Sequence, residues 1–139
     1  MTDFNDFNRQ LIEEFRANKG ALTGRFEGSS ILLLTTAGAR SGIHHTTPMM
    51  YRPDGEHLLV FASNAGARKA PDWYHNLVAH PDVTVEVGSE TYEATARVTT
   101  GEERERLFAE TLVNYPFFAD QEQKAGREIP VVALERLNA

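Results

Sequence analysis

A polar segment at residues 35–48 carries the residue types best suited to hold an anionic ligand. Its sequence is TTAGARSGIHHTTP, and it directly follows the apolar run Ile31–Leu34. Two glycines bracket Arg40 and Ser41, and glycine permits sharp turns that leave backbone N–H groups open to a ligand. The arginine offers a planar fork of donors that suits phosphate or carboxylate. A strand that ends in such a loop predicts an anion cradle, with a solvated hairpin turn as the alternative.

A second candidate region follows about 20 residues later in the chain. Residues 61–66 end a predicted strand in small and polar side chains, which would let a flat ring lie close to the backbone. Arg68 and Lys69 precede a predicted helix, and a helix start attracts anions. Trp73 and Asn76 share one face of that helix, so they could stack on and hydrogen-bond a heteroaromatic ring. The alternative places Trp73 in the core and makes Asn76 a cap or turn group.

Other chemistry is not supported by the residue pattern. The adjacent His44 and His45 would point to opposite faces of a strand, and His75 and His80 lack a ligand spacing, so no metal site is predicted. The chain has no cysteine, no serine in a nucleophile elbow and no phosphate-loop or dinucleotide glycine pattern. A binding site built from loops is what remains.

Composition indicates an ordinary soluble globular protein of one domain, residues 1–139. Hydrophobic residues make up 41% of the chain and charged residues 24%. The net charge of −6 argues against a nucleic-acid partner. No apolar run approaches the ~20 residues of a membrane span, and the N-terminus lacks the features of a secretory signal, so no stable membrane anchor is expected. The absence of cysteine fits a reducing cytoplasm.

The charge is unevenly distributed along the chain. Between residues 38 and 69, cations outnumber anions, although the chain as a whole is acidic. A local basic island in an acidic chain favours a small anionic ligand over a long polyanion. The residues concerned are Arg40, Arg52, Arg68 and Lys69 against Asp54 and Glu56.

Three helices are predicted by periodicity and end signals. The first spans residues 3–18 with Phe4, Phe7, Leu11 and Phe15 on one stripe, and it could pack on its own domain or on a partner chain. The second spans residues 71–79. The third spans residues 100–114 and begins at a capping box of Thr100 and Glu103. Residues 115–127 are predicted to be looser.

About six short strands, with turn residues between most of them, predict an antiparallel barrel with peripheral helices. Two hairpins are indicated, one at Pro53-Asp54-Gly55 and one at Gly88-Ser89. The predicted strands are 31–36, 46–52, 57–62, 82–87, 91–98 and 131–134.

Several of these segments occur together, in order, in a known family. From about Leu32 to Leu134 the chain resembles the deazaflavin-dependent nitroreductases, small actinobacterial reductases that use coenzyme F420. Leu34–Gly42 is similar to that family's strand and G-[RK]-[KR]-S-G loop, and Ala62–Gly66 to its A-S-x-G-G turn. Further similar segments are Pro48, Pro71–Leu77, His80–Val83, Glu103-Arg104 and Arg127–Val131.

The resemblance implies a split β-barrel that binds coenzyme F420. Arg40, Ser41 and Gly42 would hold the phosphate and the acidic tail. Apart from the resemblance, the charges of Arg68 and Lys69 suggest that they could assist in binding the tail. Pro48, Ala62, Ser63, Trp73 and Asn76 would line the deazaflavin ring. The complete implied cofactor site is Ala39, Arg40, Ser41, Gly42, His45, Thr46, Thr47, Pro48, Ala62, Ser63, Asn64, Trp73 and Asn76.

This chain departs from the family pattern around the implied substrate pocket of Met50, Tyr115, Phe118 and Gln121. Tyr115 matches a family tyrosine, whereas Phe118 and Gln121 stand where further tyrosines are usual. Met50 replaces a common aromatic or aliphatic residue. Elsewhere, His45 stands where arginine is frequent, and Ala65 replaces a glycine.

The resemblance therefore implies an F420-dependent reductase. Hydride would pass from the reduced deazaflavin to an electron-poor enone, unsaturated lactone, quinone or nitroaromatic, with Tyr115, Ser63 or water supplying the proton. Three alternative functions stay open: a non-catalytic deazaflavin, haem or fatty-acid binding protein, a split barrel that uses FMN, and a structural interaction module. The oligomeric state, monomer or homodimer, is open as well.

Overall fold

The computed structural model describes residues 3–22 and 30–137. Its helices are α1 (Asp3–Ala17), α2 (Asp72–Ala79), α3 (Gly101–Asn114) and α4 (Phe117–Ala125). Its strands are β1 (Ile31–Ala37), β2 (His44–Met50), β3 (Arg52–Asp54), β4 (His57–Phe61), β5 (Asp82–Val87), β6 (Glu90–Val98) and β7 (Val131–Arg136).

The strands form one antiparallel sheet that curls into a split barrel. The strand order is β2-β1-β5-β6-β7-β4-β3, and every pair in it is antiparallel. The two outer strands, β2 and β3, are consecutive in the chain and are separated only by Tyr51. The two edges of the sheet must therefore lie side by side, which is possible only if the sheet bends round on itself. The predicted fold class is confirmed.

Strand alternation builds two hydrophobic cores on opposite faces of this sheet. On β4, Val60 points into the barrel interior whereas Leu59 and Phe61 point outward, beneath α3 and α4. The interior core also receives Leu77 from α2, so this helix closes one end of the barrel. These cores hold the elements that surround the candidate site in fixed positions.

Helix α1 packs on the outside of β1. Leu11 and Phe15 are buried beside Leu33, as the predicted stripe requires, while the side chains of Phe4 and Phe7 lie outside the described residues. The chain leaves the helix at Gly20, whose φ of +92° is left-handed. Among the described residues, no helix is long and apolar enough to cross a membrane.

Three sequence predictions about local structure are wrong. Residues 117–125 form helix α4, which ends in a left-handed Gly126 that donates to the carbonyls of Glu122 and Gln123. The predicted second strand divides at Tyr51 into β2 and β3, which gives seven strands. Thr100 lies at the start of α3 without a side-chain capping bond.

The capping box fails because a stronger partner takes its glutamate. The Glu103 carboxylate accepts hydrogen bonds from Arg97 Nη1 at 2.8 Å and Nη2 at 3.1 Å. The guanidinium contact makes two charge-assisted hydrogen bonds, whereas the Thr100 N–H could donate only one.

Candidate active site

A groove with two adjoining parts, which share several lining residues, runs along one side of the barrel. The larger part, here called the polar lobe, has a volume of about 1260 Å³ and lies between α1, the β1–β2 loop and the start of α2. The smaller part, the apolar lobe, measures about 380 Å³ and lies between β2, the end of β4 and α4. The residues that line both lobes are Asn8, Thr47, Asn64, Pro71 and Trp73.

The β1–β2 loop, residues 38–43, holds its shape with its own hydrogen bonds. The Gly42 N–H donates to the Gly38 carbonyl at 2.9 Å, and the Gly38 N–H donates to the Ile43 carbonyl at 2.8 Å. The Ile43 N–H donates to Ser41 Oγ at 3.1 Å. Gly42 has a left-handed φ of +73°, which only glycine adopts without strain. This glycine therefore serves the turn itself.

Asn76 anchors the same loop to helix α2. Its Oδ1 accepts the Ala39 N–H at 2.9 Å, and its Nδ2 donates to the hydroxyl of the buried Thr36 at 3.2 Å. The side chain thus connects α2 with the end of β1 and with the loop. A turn-holding role, the alternative considered for Asn76, is the one that these contacts describe.

Two amides of the loop remain open. The N–H groups of Arg40 and Ser41 have no acceptor among the described residues, and both residues line the polar lobe. Adjacent open amides beside a guanidinium and a serine hydroxyl make a suitable site for a phosphate or carboxylate.

Cations in the polar lobe fall into two groups. Arg9 lies 3.4 Å from Glu13, and Arg16 binds Glu86 in a bidentate contact at 2.8 and 3.0 Å. The hydrogen bond with Glu86 raises the pKa of Arg16.

The second group has no carboxylate partner among residues 3–22 and 30–137. Arg40 and Lys69 are exposed and form no ion pair with any described residue. Asp72, at the start of α2, is also exposed and forms no ion pair with a described residue. Among the described residues, the unpaired Lys, Arg, Asp and Glu side chains of the lobe are therefore two cations and one anion. This balance favours an anionic ligand.

The apolar lobe is bounded by aromatic and methionine side chains. The Phe61 and Phe118 rings lie 4.9 Å apart between centroids, and the Phe118 and Phe117 rings lie 4.5 Å apart. Phe118 is buried whereas Phe117 is 42% exposed, so the aromatic series runs from the wall to the rim. Met49 and Met50 of β2 also line this lobe. Such a wall suits a flat, largely apolar guest.

Ser63 is one of the polar groups in the apolar lobe. Its carbonyl accepts the Gly66 N–H at 2.9 Å and Arg127 Nη2 at 3.1 Å. Its hydroxyl forms no hydrogen bond with the described residues, so it is available to a ligand while its backbone is held in place.

Arg127 organises the turn that carries Ser63. Its guanidinium donates to the carbonyls of four residues at 3.1–3.3 Å, and it therefore ties the whole turn to the end of α4. Within the turn, Asn64 has a positive φ of 50° and donates from Nδ2 to the Lys69 carbonyl at 3.0 Å. The four carbonyls belong to Ala62, Ser63, Ala67 and Lys69.

Most of the predicted site residues lie along the groove. In the polar lobe these are Ala39, Arg40, Ser41, His45, Thr46, Thr47, Asn64, Trp73 and Asn76. In the apolar lobe they are Thr47, Pro48, Met50, Ser63, Asn64, Trp73, Phe118 and Gln121.

Three predicted residues line neither lobe. Gly42 forms the turn, and Ala62 is buried behind the groove. Tyr115 packs against the core beneath α3 and α4, with its ring edge-on to Phe117 at 6.2 Å. Arg68, assigned an assisting charge, also lies outside both linings.

Several residues at the groove have no predicted site role, and Asn8, Phe117 and Arg127 are notable among them. Asn8 of α1 lines both lobes, Phe117 forms the rim of the apolar lobe, and Arg127 holds the central turn. For Arg127 a sequence cue existed, because it lies within the segment that resembles the F420-dependent reductases.

Known proteins match this chain over most of its length. A sequence model of the F420H(2)-dependent quinone reductases matches residues 7–136. A protein of Mycobacterium tuberculosis strain H37Rv named F420H(2)-dependent quinone reductase is 33% identical over 126 residues, which cover 88% of this chain and 85% of that relative.

Two solved structures share both fold and sequence. An F420-H2 dependent reductase, FDR-A, is 37% identical, with a TM-score of 0.69 over 76% of this chain and 94% of its own. A second protein, solved as a domain-swapped dimer, is 34% identical, with a TM-score of 0.71 over 96% of this chain and 98% of its own.

The curled barrel is that of a split-barrel oxidoreductase. The chain belongs to the F420H(2)-dependent quinone reductase family. It is an F420-dependent reductase, and coenzyme F420 is its cofactor. The resemblance drawn from the sequence is confirmed, and membership favours the enzyme over the non-catalytic and FMN alternatives.

Proposed function

We propose that this chain binds F420 along the groove and uses it to reduce a quinone held in the apolar lobe. The observation that carries the proposal is that the two lobes adjoin, with Thr47, Asn64 and Trp73 in the linings of both. One ligand can therefore place an acidic tail in the polar lobe and a ring at the entrance to the apolar lobe. The combined space exceeds the ~300–1,000 Å³ typical of small-ligand pockets, as a long cofactor requires.

We assign the acidic end of F420 to the β1–β2 loop. The open amides of Arg40 and Ser41, the Arg40 guanidinium and the Ser41 hydroxyl supply charged and neutral donors to phosphate or carboxylate. Lys69, across the lobe, adds a second unpaired cation. Ala39, His45, Thr46 and Asn76 line the same space, whereas Gly42 contributes by setting the turn.

We assign the deazaflavin ring of F420 to the place where the two lobes adjoin. Trp73 offers an indole face, and Pro48 and Thr47 form the opposite side of the groove on β2. Ser63 and Asn64 approach from the turn held by Arg127. Ala62 supports this turn from behind through its buried position.

The residues of the apolar lobe orient the substrate and exclude water. Reduced F420, when bound, supplies a hydride to the substrate. The Ser63 hydroxyl lines the lobe and is free to donate a proton, which favours it over Tyr115, whose ring packs into the core. Met50, Phe61 and Phe118 provide the apolar walls that a quinone ring would contact. The relatives named as quinone reductases support this substrate class.

Two further expectations accompany the proposal. Homodimer formation is supported by the related structure that was solved as a domain-swapped dimer. A cytoplasmic location stays a prediction from the sequence.

A fluorescence titration with oxidised F420, paired with turnover of 1,4-naphthoquinone by the reduced cofactor, tests the proposal. We expect the wild type to bind F420 and to oxidise its reduced form when the quinone is added. Arg40→Ala should weaken F420 binding by about 10- to 150-fold, the equivalent of charge-assisted hydrogen bonds worth ~1.5–3 kcal/mol. High salt should reduce the difference in F420 affinity between the wild type and Arg40→Ala, because the Arg40 side chain is exposed.

Arg106→Ala is the matched control. Arg106 lies on α3 and pairs with Glu110 at 3.4 Å, outside both lobes, so it removes the same charge away from the groove. Equal losses of F420 affinity in the two variants, or no quinone-dependent oxidation by the wild type, would contradict the proposed function.

A further inference from the structure

Helix α1 forms one wall of the groove, although the segments that resemble the F420-dependent reductases begin only after it. None of the predicted site residues lies on this helix. Asn8 lines the polar lobe and also the apolar lobe, so it lies where the two lobes adjoin. Residues three and four positions apart share one side of a helix, and such a series faces the polar lobe. Its members are Asn8, Arg9, Ile12, Glu13 and Arg16.

Three different contacts fix α1 to the sheet. Its apolar side is buried on β1. Arg16 binds Glu86 of β5 in the bidentate contact at 2.8 and 3.0 Å. After the helix, the chain passes so close to the β5–β6 turn that a Cβ on Gly20 would lie 2.7 Å from the Gly88 Cα. A wall supported in this way can present a side chain to a ligand at a defined position.

The side-chain amide of Asn8 is open. The residue is half-buried, and its amide forms no hydrogen bond with residues 3–22 and 30–137. The other amide side chain that lines both lobes belongs to Asn64, and it already donates to a backbone carbonyl. A partly buried amide without a partner gains hydrogen bonds when a polar ligand covers it.

We propose that α1 completes the F420 site and that the Asn8 amide hydrogen-bonds the polyol chain between the ring and the phosphate of the cofactor. The inference rests on the proposed function, which assigns the ring to the place where the lobes adjoin and the phosphate to the β1–β2 loop. Asn8 lines both lobes and so borders the space between these two ends. An amide can both donate to and accept from hydroxyl groups, which suits it to a polyol.

The charges on this wall are balanced, which separates its role from that of the β1–β2 loop. Arg9 and Arg16 each lie within 3.4 Å of a glutamate carboxylate. Two opposite charges side by side attract an acidic tail far less than the unpaired Arg40 does. The contribution of Asn8 to binding should therefore depend weakly on salt, and it should not require the tail.

Fluorescence titrations with F420 and with its fragment FO test the inference without turnover. FO keeps the ring and the polyol chain but lacks the phosphate and the acidic tail. Asn8→Ala removes the amide and favours the helix, and it should weaken both ligands by the same factor, about 2- to 12-fold, the range for one neutral hydrogen bond. Arg40→Ala should weaken F420 alone. Gln10→Ala removes an amide from the exposed side of α1 and should change neither.

The same titrations at low and high salt give a second criterion, which needs F420 only. The loss of affinity in Asn8→Ala should stay constant, whereas the loss in Arg40→Ala should shrink as salt screens the tail.

Glu86→Gln tests whether the position of α1 matters. Glu86 lines neither lobe, so it is a positioning residue that acts on the groove through Arg16. Its substitution should weaken F420 and FO equally, and it should cost less affinity in an Asn8→Ala background than in the wild type. Glu90→Gln, which breaks the exposed pair with Arg136, is the control and should leave both affinities unchanged.

The outcomes distinguish this inference from the proposed function. If the wild type fails to bind F420, the proposed function fails. If the wild type binds F420 and turns over naphthoquinone, yet Asn8→Ala binds F420 and FO as the wild type does, only the role of Asn8 fails. A loss in Asn8→Ala that is confined to F420 and disappears at high salt would also overturn the inference, because it would place the amide at the tail.

Discussion

Two cations of the polar lobe, Arg40 and Lys69, differ in what they contact from Arg97 of β6 and Arg104 of α3. Arg97 and Arg104 each contact glutamates at 3.1 Å or less. Arg40 and Lys69, by contrast, meet no carboxylate of the described residues. An arginine paired within the fold stabilises the fold, whereas an unpaired cation in a groove is available to a ligand. The contrast separates residues that should affect stability from residues that should affect binding.

Arg104 gives the strongest test of the claim that an arginine paired within the fold stabilises it. Its side chain is 4% exposed and donates to Glu122 at 2.7 Å and to the Ile129 carbonyl at 2.6 Å. Arg104→Met should lower the free energy of unfolding by about 3 kcal/mol, the lower end for a broken buried pair, because Glu122 retains partial solvent access. Urea denaturation measures the change.

Arg106→Met serves as the control for that experiment. It lies on the same helix, but its pair with Glu110 is exposed, and such pairs contribute about 0.3–0.5 kcal/mol. If the Arg104 and Arg106 variants were equally stable, the buried network would not support the fold as described.

Arg127 should contribute both to stability and to F420 binding. It has no carboxylate within ion-pair distance among the described residues, yet it donates to four carbonyls of the turn that carries Ser63. Arg127→Met should cost about 1.5–2 kcal/mol of stability, within the range for hydrogen bonds to a charged group. It should also weaken F420 binding, because the turn forms part of the groove. Arg40→Ala should weaken binding with stability almost unchanged.

Denaturation and F420 titration of the same two variants measure this difference. Arg136→Met, which removes an exposed arginine paired with Glu90 at the far end of β7, controls for lost charge. An Arg127 variant with normal F420 affinity would show that the turn keeps its shape without the hydrogen bonds of the Arg127 guanidinium.

The sequence predicted most clearly what depends on local pattern. Strand β5 begins and ends where alternation places it, and the β5–β6 hairpin forms at Gly88. The β1–β2 loop drew attention because its glycines, arginine and serine suit an anion, although that pattern alone is equally typical of a solvated hairpin turn. Helix α4 was missed because it begins after Pro116 without a side-chain cap, and its burial of Phe118 depends on a distant strand.

The wider site could not be predicted from local pattern because its contacts join distant parts of the chain. Arg127 reaches carbonyls 58 to 65 residues away, and Asn76 bonds residues 37 and 40 positions earlier. Asn8 lines the groove only because α1 packs on β1. Spacing rules act within one element, so they cannot report which side chains the barrel brings together.

The smallest expected effect on stability comes from the exposed ion pair of Arg97 and Glu103. The hydrogen bonds from Arg97 lower the pKa of Glu103 below its ordinary 4.5, with smaller contributions from the charges of Arg106 and His57. A carboxyl whose pKa is lower in the folded state stabilises the fold above the unfolded pKa, and this contribution disappears as the pH falls through the folded pKa. The pair should therefore matter at pH 7 and not in strong acid.

Arg97→Gln should reduce stability slightly at pH 7, and its difference from the wild type should shrink as the pH falls below about 4.5. Urea midpoints at several pH values measure the trend for Arg97→Gln, Glu103→Gln and the double variant. Because Arg97 also binds Glu135 at 2.7 Å, the double-variant cycle isolates the Glu103 contribution. F420 affinity should be the same in all three, since neither residue lines the groove. A change in affinity here would mean that paired and unpaired arginines do not divide between stability and binding.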